Sequence, residues 1–89
     1  MKRKLKITEI IEQNINFEVC KVSDVSESHR GHIGFVENGE THFEIHIISE
    51  QFRDLSHISR QRLLNNLLKE EFDNGLHSVS YRLKAKNEK

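Results

Sequence analysis

The sequence predicts an α+β fold in which helices cover one face of a three-stranded sheet. Two stretches carry apolar residues at helical spacing, and three stretches are rich in β-forming or alternating residues. Their order along the chain is helix, strand, strand, helix, strand, which favours a sheet with helices packed on one side. Because the chain has only 89 residues, we expect one domain spanning residues 1–89.

The first helix is predicted over residues 3–14. Five apolar residues recur at helical spacing among Lys, Glu and Gln, four within this range and one directly after it: Leu5, Ile7, Ile10, Ile11 and Ile15. Such spacing is typical of an amphipathic helix that covers a sheet. The β-forming run that begins at Phe17 and includes Val22 then predicts a first strand of about six to eight residues.

A long loop and a second strand follow. From Ser23 to Glu40 the composition changes to Ser, Glu, His and Asn, with three of the four glycines, which predicts a loop. His42 to Ser49 then alternates between polar and apolar residues. The residues expected on the core face are Phe43, Ile45 and Ile47. Those expected to face water or a partner are His42, Glu44 and His46.

The second half of the chain predicts a long helix and a third strand. Ser56 or Ser59 is suited to cap the helix, and Gly75 to end it. Its expected buried stripe is Ile58, Leu63, Leu64, Leu67, Leu68 and Phe72. The stretch from His77 to Lys84 predicts a strand with Val79, Tyr81 and Leu83 on the core side. Residues 85–89 are polar, and we expect a frayed tail.

Composition excludes several classes of protein. Lys plus Arg and Asp plus Glu number 14 each, so the formal net charge is zero, whereas a general nucleic-acid binder is usually basic. The lone Cys20 cannot form an internal disulfide, and the strand around it favours an inert buried thiol. No apolar run approaches the length of a membrane span. These features predict a cytoplasmic protein, and no catalytic constellation points to an enzyme.

Several separated motifs resemble the BolA family in their order and spacing, and the resemblance covers nearly the whole chain. They are Ser26-Glu27-Ser28-His29-Arg30-Gly31-His32, Gly39-Glu40-Thr41-His42-Phe43, Ile48-Ser49-Glu50-Gln51-Phe52, Arg60-Gln61-Arg62-Leu63-Leu64 and Leu76-His77-Ser78-Val79-Ser80. The resemblance implies a fold like the second type of KH domain, with the order α-β-β-α-β and a short extra helical turn. The same order follows independently from the periodicity described above.

The resemblance also implies a function. BolA-like proteins bind monothiol glutaredoxins and share a two-iron two-sulfur cluster with the glutaredoxin cysteine and glutathione. The BolA side is expected to supply His77, at the start of the last strand, and a loop residue for which His32 is the best match and His29 the next. Arg60 and Arg62 are expected to contact the partner. The isolated chain is expected to hold no cofactor and to be a monomer or a weak homodimer.

Two departures from the family pattern concern the partner surface and the chain end. The family often has Arg-His-Arg where this chain has Arg60-Gln61-Arg62. A role that the family assigns to the middle histidine is therefore weakened in this chain, which has Gln61 at that position. A C-terminal segment rich in Pro and Trp is missing, which leaves the last strand followed by an open tail.

Two other functions are possible alternatives to the role of a glutaredoxin partner: nucleic-acid binding and zinc binding. BolA-like proteins have been linked to transcriptional regulation, and Arg60, Arg62 and Lys69 could contact DNA phosphates, although the wet side of an amphipathic helix is their ordinary interpretation. The GxxG pattern from Gly31 to Gly34 lies between two strands, so its likeness to the KH loop is treated as coincidence. His42, Glu44 and His46 on the polar face of the second strand could seat a zinc ion, but ordinary surface residues are the favoured interpretation.

Overall fold

The computed structural model describes residues 2–26 and 41–88, and its elements follow the predicted order. The helices are α1 (Lys2–Asn14), α2 (His57–Leu67) and α3 (Lys69–Asp73), and a 3-10 turn spans Glu50–Phe52. The strands are β1 (Val19–Asp24), β2 (His42–Ile48) and β3 (Ser78–Lys84). They form one sheet in the order β1-β2-β3, with β1 antiparallel and β3 parallel to β2. The predicted α+β class with a three-stranded sheet is confirmed.

The core lies between one face of the sheet and the helices. Phe43, Ile45 and Ile47 of β2 are at most 1% exposed, as the alternation predicted. The other buried members of this core lie in or near the helices, the 3-10 turn, β1 and β3: Ile7, Ile11, Ile15, Val22, Phe52, Leu64, Leu68, Leu76 and Leu83. Burial of this apolar surface is the main force that holds the helices on the sheet.

Two apolar residues predicted in the helix stripes are exposed instead. Leu5 is 60% exposed and Ile58 is 63% exposed. Each lies two residues before the first buried position of its helix, Ile7 in α1 and Arg60 in α2, and two residues turn a helix by about 200°. Their side chains therefore point to the opposite side of the helix.

The second helical region is divided in two. Ser56 caps α2, because its hydroxyl accepts a hydrogen bond from the Ser59 N–H. At Leu68 the backbone leaves helical geometry, with φ −96° and ψ 11°, and α3 begins at the next residue. Gly75 then has a φ of +114°, a conformation that L side chains rarely adopt, and it ends the helical region as predicted.

Residues 85–88 make hydrogen bonds and buried contacts in the structure, and the fraying predicted for residues 85–89 stays a prediction. Ala85 is 2% exposed, and its N–H donates to the Glu88 carboxylate at 3.1 Å. The Lys86 N–H donates to Glu50 at 3.0 Å, and the Lys86 carbonyl accepts from Arg53 at 2.7 Å. The two partners of Lys86 lie 36 and 33 positions away in sequence, so a polar composition alone could not reveal them.

Candidate functional site

His77 lies at the entrance to β3, and its side chain is exposed. The backbone on which it stands is held firmly, because the His77 N–H donates to the Thr41 carbonyl at 2.8 Å and the Ser78 N–H donates to the same oxygen at 3.2 Å. These bonds form because β2 and β3 are parallel and begin at the same end of the sheet. The imidazole is therefore accessible to a partner. The backbone that carries it is already hydrogen-bonded, so no ordering is required when a partner binds.

A second histidine lies directly beside His77. The ring centroids of His42 and His77 are 5.1 Å apart, with an angle of 48° between the rings. His42 is only 3% exposed, and its Nδ1 lies 2.8 Å from the Thr41 hydroxyl. The expectation that His42 faces water or a partner is wrong, because Thr41, Ser26 and His77 surround this first residue of β2. The buried His42 ring therefore lies next to the exposed His77 ring.

Ser26 joins the two borders of the predicted loop. Its hydroxyl accepts hydrogen bonds from the N–H groups of Thr41, at 2.9 Å, and His42, at 3.1 Å. Its own N–H donates to the Asp24 carboxylate at 2.9 Å. Ser26 is 6% exposed and Thr41 is 4% exposed. The chain therefore leaves β1 and enters β2 at the end of the sheet where His77 stands.

The loop histidines, His29 and His32, lie outside the described residues. They follow Ser26 by three and six residues. Their place relative to His77 stays a prediction.

At this end of the sheet the described residues supply one exposed imidazole, that of His77, and no complete metal site. No group of three or more His, Cys, Asp or Glu side chains within residues 2–26 and 41–88 could hold a metal ion. Cys20 pairs with Ile47, towards the opposite end of the sheet from His77. Burial raises the pKa of the half-buried Cys20 thiol, and the nearby Glu12 carboxylate raises it further. This donor set suits a site that is completed by a second molecule.

Arg60 is not a surface residue, and its predicted place on the wet side of α2 is wrong. It is 3% exposed and donates to the carbonyls of Leu55 and Leu83, each at 3.0 Å. Its guanidinium also pairs with the Glu88 carboxylate, at 2.9 Å from Nη2, and this bond raises the pKa of Arg60. The structure therefore does not bring Arg60 together with His77. All of its polar contacts lie at the exit of β3.

The other two cationic residues of the predicted set, Arg62 and Lys69, are exposed as expected. Both remain accessible to a partner. No helix in the described part of the chain is long and apolar enough to cross a membrane. The cytoplasmic location stays a prediction.

Sequence reasoning assigned no role to Ser26, Thr41 or His42 at this site. A usable signal was present, since hydroxyl residues stand at both borders of the long loop and can bond the backbone groups at strand ends. The alternation rule placed His42 correctly on the face opposite Phe43. It could not show that this face is covered at the first residue of the strand.

The comparisons with known proteins agree on one family. The model for the family BolA-like protein matches residues 11–88. The chain is 41% identical over 69 residues to Protein BOLA1, chloroplastic, of Arabidopsis thaliana, with 75% of this chain and 43% of that protein covered. It is 37% identical over 82 residues to SufE-like protein 1, chloroplastic/mitochondrial, of the same plant, with 88% and 22% covered. It therefore spans less than half the length of either relative.

A solved structure and a bacterial relative add to this. The BolA domain of SufE1 from Arabidopsis thaliana matches with a TM-score of 0.86 at 34% identity, covering 97% of this chain and 94% of that one. A relative named DNA-binding transcriptional regulator BolA, from Haemophilus influenzae, is 30% identical over 92 residues, with 94% of this chain and 87% of that protein covered. The likeness to KH domains stays a prediction.

Proposed function

This chain belongs to the BolA-like protein family, and from that premise we propose that it is a non-enzymatic adaptor that binds a monothiol glutaredoxin and shares a two-iron two-sulfur cluster with it. The observation that carries the proposal is the exposed imidazole of His77 on a hydrogen-bonded backbone. A ligand for a metal held mostly by another protein must be accessible and already in place. His77 meets both conditions.

The chain contributes imidazole ligands to the shared cluster. His77 is the first, and His32 or His29 is the second, because the loop that carries them is fastened at Ser26 and Thr41 beside His77. The glutaredoxin cysteine and glutathione provide the thiolates. The chain lacks a thiol at this end of the sheet within the described residues, which fits a division of ligands between the two proteins.

The neighbours of His77 prepare it for this role. The buried His42 ring, hydrogen-bonded to Thr41, restricts rotation of the His77 ring, and preorganisation lowers the cost of binding. A nitrogen ligand must be unprotonated, so cluster binding should weaken at acid pH. Imidazole in place of thiolate reduces the negative charge on a cluster and raises its potential, which suits a transferable cluster.

The partner surface is expected to include Arg62 as well as His77, because Arg62 is exposed on α2. Arg60 has no part in this surface, since its side chain is buried against the tail. The isolated chain is expected to be a monomer or a weak homodimer.

Co-expression with a monothiol glutaredoxin tests the proposal. We expect a coloured heterodimer, and we expect His77→Ala to remove most of its visible absorption while the stability of the isolated chain changes by less than about 0.5 kcal/mol. His57→Ala is the matched control, because His57 is also exposed but begins α2. An unchanged spectrum for His77→Ala would show that this residue is not a ligand. Comparing His32→Ala with His29→Ala then identifies the loop ligand.

A second candidate function is DNA binding, which the name of the Haemophilus influenzae relative favours. Titration of the isolated chain against DNA over a range of salt concentrations tests it. Steep loss of affinity with salt together with a sequence preference would support a regulator. Absence of binding at low salt would exclude it.

A further inference from the structure

The sheet has two edge strands, β1 and β3, whose outer edges differ in protection. In the order β1-β2-β3, neither strand has a second neighbour in the described part of the chain. Native edges are usually protected from further pairing by charged side chains or proline. β1 carries Lys21 and Asp24, and the exit half of β3 carries Arg82 and Lys84. Residues 78–81, the entrance half of β3, carry no charge and no proline.

The backbone of this entrance half has hydrogen-bonding groups that point away from β2. The Ser78 N–H donates to the Thr41 carbonyl, where the ladder between the two strands begins. Because the bonding direction alternates from residue to residue along a strand, the N–H and C=O groups of Val79 and Tyr81 point outward. Within residues 2–26 and 41–88, no hydrogen bond engages these outward groups. They repeat about 6.8 Å apart, which is also the repeat of an extended peptide.

Arg60 marks the end of this free edge. Leu83 is the next residue whose backbone groups point outward, and its carbonyl accepts a hydrogen bond from the Arg60 guanidinium at 3.0 Å. That bond agrees with the alternation, and it leaves no acceptor at Leu83 for a further strand. Pairing is therefore confined to the entrance half of β3, which suits a segment of about five residues.

A groove beside the free edge has room for such a segment. It is open, measures about 690 Å³ and is lined by Gln61 and Asn65 of α2, Phe72 of α3 and residues 78–81 of β3. Phe72 is half-buried and packs against the core, so its remaining surface is apolar and faces the groove. Asn65 accepts a hydrogen bond from the Tyr81 hydroxyl at 2.7 Å, which leaves its amide N–H groups as donors. The groove thus combines a row of backbone groups, an apolar surface and amide donors.

We propose that this groove binds a short, extended and uncharged segment of a partner protein, which joins the sheet as a fourth strand beside β3. Strand addition of this kind draws affinity from main-chain hydrogen bonds and specificity from the places offered to alternate side chains. Every second side chain of the segment lies against Phe72 and Val79 and is aliphatic, and those between face water. Among the described residues, none that lines the groove is charged. The groove therefore offers no cation to a phosphate, which favours a peptide over nucleic acid.

This inference goes beyond the adaptor function and uses a different surface. The groove begins directly after His77, but its lining does not include that residue. Strand addition requires no metal cluster and no imidazole. Arg62 and Lys69, the cations considered for DNA, also lie outside the lining.

An NMR titration of the isotopically labelled full chain with the acetylated and amidated pentapeptide Thr-Val-Gln-Val-Thr tests the proposal. We expect a dissociation constant of about 1 mM. Solvent exchange of the Val79 and Tyr81 amides should become about fivefold slower when the free peptide is about four times that concentration. The Ser80 and Arg82 amides, which already bond to β2, should change little. Protection of alternate amides is the signature of an added strand.

Two variants separate the edge from the groove. Val79→Pro removes one outward donor, and proline is tolerated on an edge strand where its nitrogen faces solvent. Gln61→Trp leaves the edge intact and fills the groove. Each should weaken peptide binding roughly fivefold or more. Asn66→Trp is the matched control, because Asn66 is exposed on the same helix and outside the lining, and it should leave binding unchanged. Circular dichroism checks that each variant is folded.

A modified peptide tests the main-chain bonds directly. Methylation of two consecutive central nitrogens removes a donor from each edge of the peptide, and we expect it to abolish the protection of Val79 and Tyr81. The proposal is overturned if the unmodified peptide gives no protection at about 5 mM, if the methylated peptide protects equally, or if Asn66→Trp weakens binding as much as Gln61→Trp.

Two further measurements identify other occupants of the groove. Protection of Val79 and Tyr81 that rises with the concentration of the chain alone would identify a second copy of this chain. Equal protection by a single-stranded DNA of about five nucleotides would identify nucleic acid. Either result would overturn the assignment of a partner peptide.

Discussion

The two ends of β3 are both polar, but they are built in opposite ways. At its entrance, His77 is exposed and its backbone is bonded to Thr41, beside the uncharged hydroxyl of Ser26 and the buried ring of His42. At its exit, Arg60 is buried and its guanidinium is bonded to two backbone carbonyls and to Glu88. The entrance leaves one side chain free to act on another molecule, whereas the exit uses its charged groups within the fold.

This difference shows how to separate a functional polar residue from a structural one. A buried arginine whose donors are bonded inside the molecule stabilises the fold, because leaving its charge or its partners unsatisfied would be costly. An exposed imidazole on a fixed backbone contributes little to stability and is available to a ligand. Arg60 and His77 were both assigned to the partner surface from sequence, and only His77 is accessible.

The largest effect on stability is expected from a substitution at the exit of β3. Arg60→Ala should lower the free energy of unfolding by about 3 kcal/mol, because the carbonyls of Leu55 and Leu83 lose the hydrogen bonds from the guanidinium and the Glu88 carboxylate keeps only the Ala85 N–H. Urea denaturation measures this. Arg62→Ala, on the exposed surface of the same helix, should change stability by less than about 0.5 kcal/mol. Equal effects of the two substitutions would contradict the structural role of Arg60.

A smaller effect is expected at the entrance end. Ser26→Ala should destabilise the fold by about 1–2 kcal/mol, because the buried N–H groups of Thr41 and His42 lose a shared acceptor. The same substitution should accelerate hydrogen exchange of those two amides. Ser80→Ala is the control, since Ser80 is exposed on β3. Amide exchange that is unaffected by Ser26→Ala would show that this hydroxyl does not hold the loop borders together.

The smallest effect is a pH dependence confined to the exit. Hydrogen bonds from Arg60 and from the Ala85 N–H lower the pKa of Glu88 from 4.5 to about 2. Since the folded pKa lies below the unfolded one, the stabilisation is complete above about pH 4.5 and is lost as the pH falls towards about 2. The stability difference between the unmodified chain and Glu88→Gln should therefore shrink across that range. A difference independent of pH would contradict the ion pair.

Much of the fold was predictable because it depends on local patterns. Helical spacing located α1 and the second helical region, alternation identified Phe43, Ile45 and Ile47 as core, and Gly75 marked the end of the helices. Leu5 and Ile58 were wrongly assigned to the buried faces of their helices, because each helix has more apolar residues than one face can bury. The choice between them depends on which turn of the helix first meets the sheet.

The site was predicted in part. His77 was found through its family motif, and the structure describes it as accessible. Ser26 and His42 were named in the family motifs, but their supporting roles could not be predicted because these depend on β1, β2 and β3 meeting at one end. His29 and His32 stay predictions, as does the role of His77 in cluster binding.

By itself, the sequence determined the α+β class, the order of the elements, the face of β2 that is buried and the family. Each of these depends on many residues acting together through hydrophobic burial, so single errors do not change the outcome. Only the tertiary structure decided that Arg60 is buried, that Lys86 bonds to Glu50 and Arg53, and that His42 lies beside His77. These outcomes depend on single contacts between distant residues, such as Arg60 and Glu88, 28 positions apart. No local pattern encodes such a contact, because it exists only once the chain has folded.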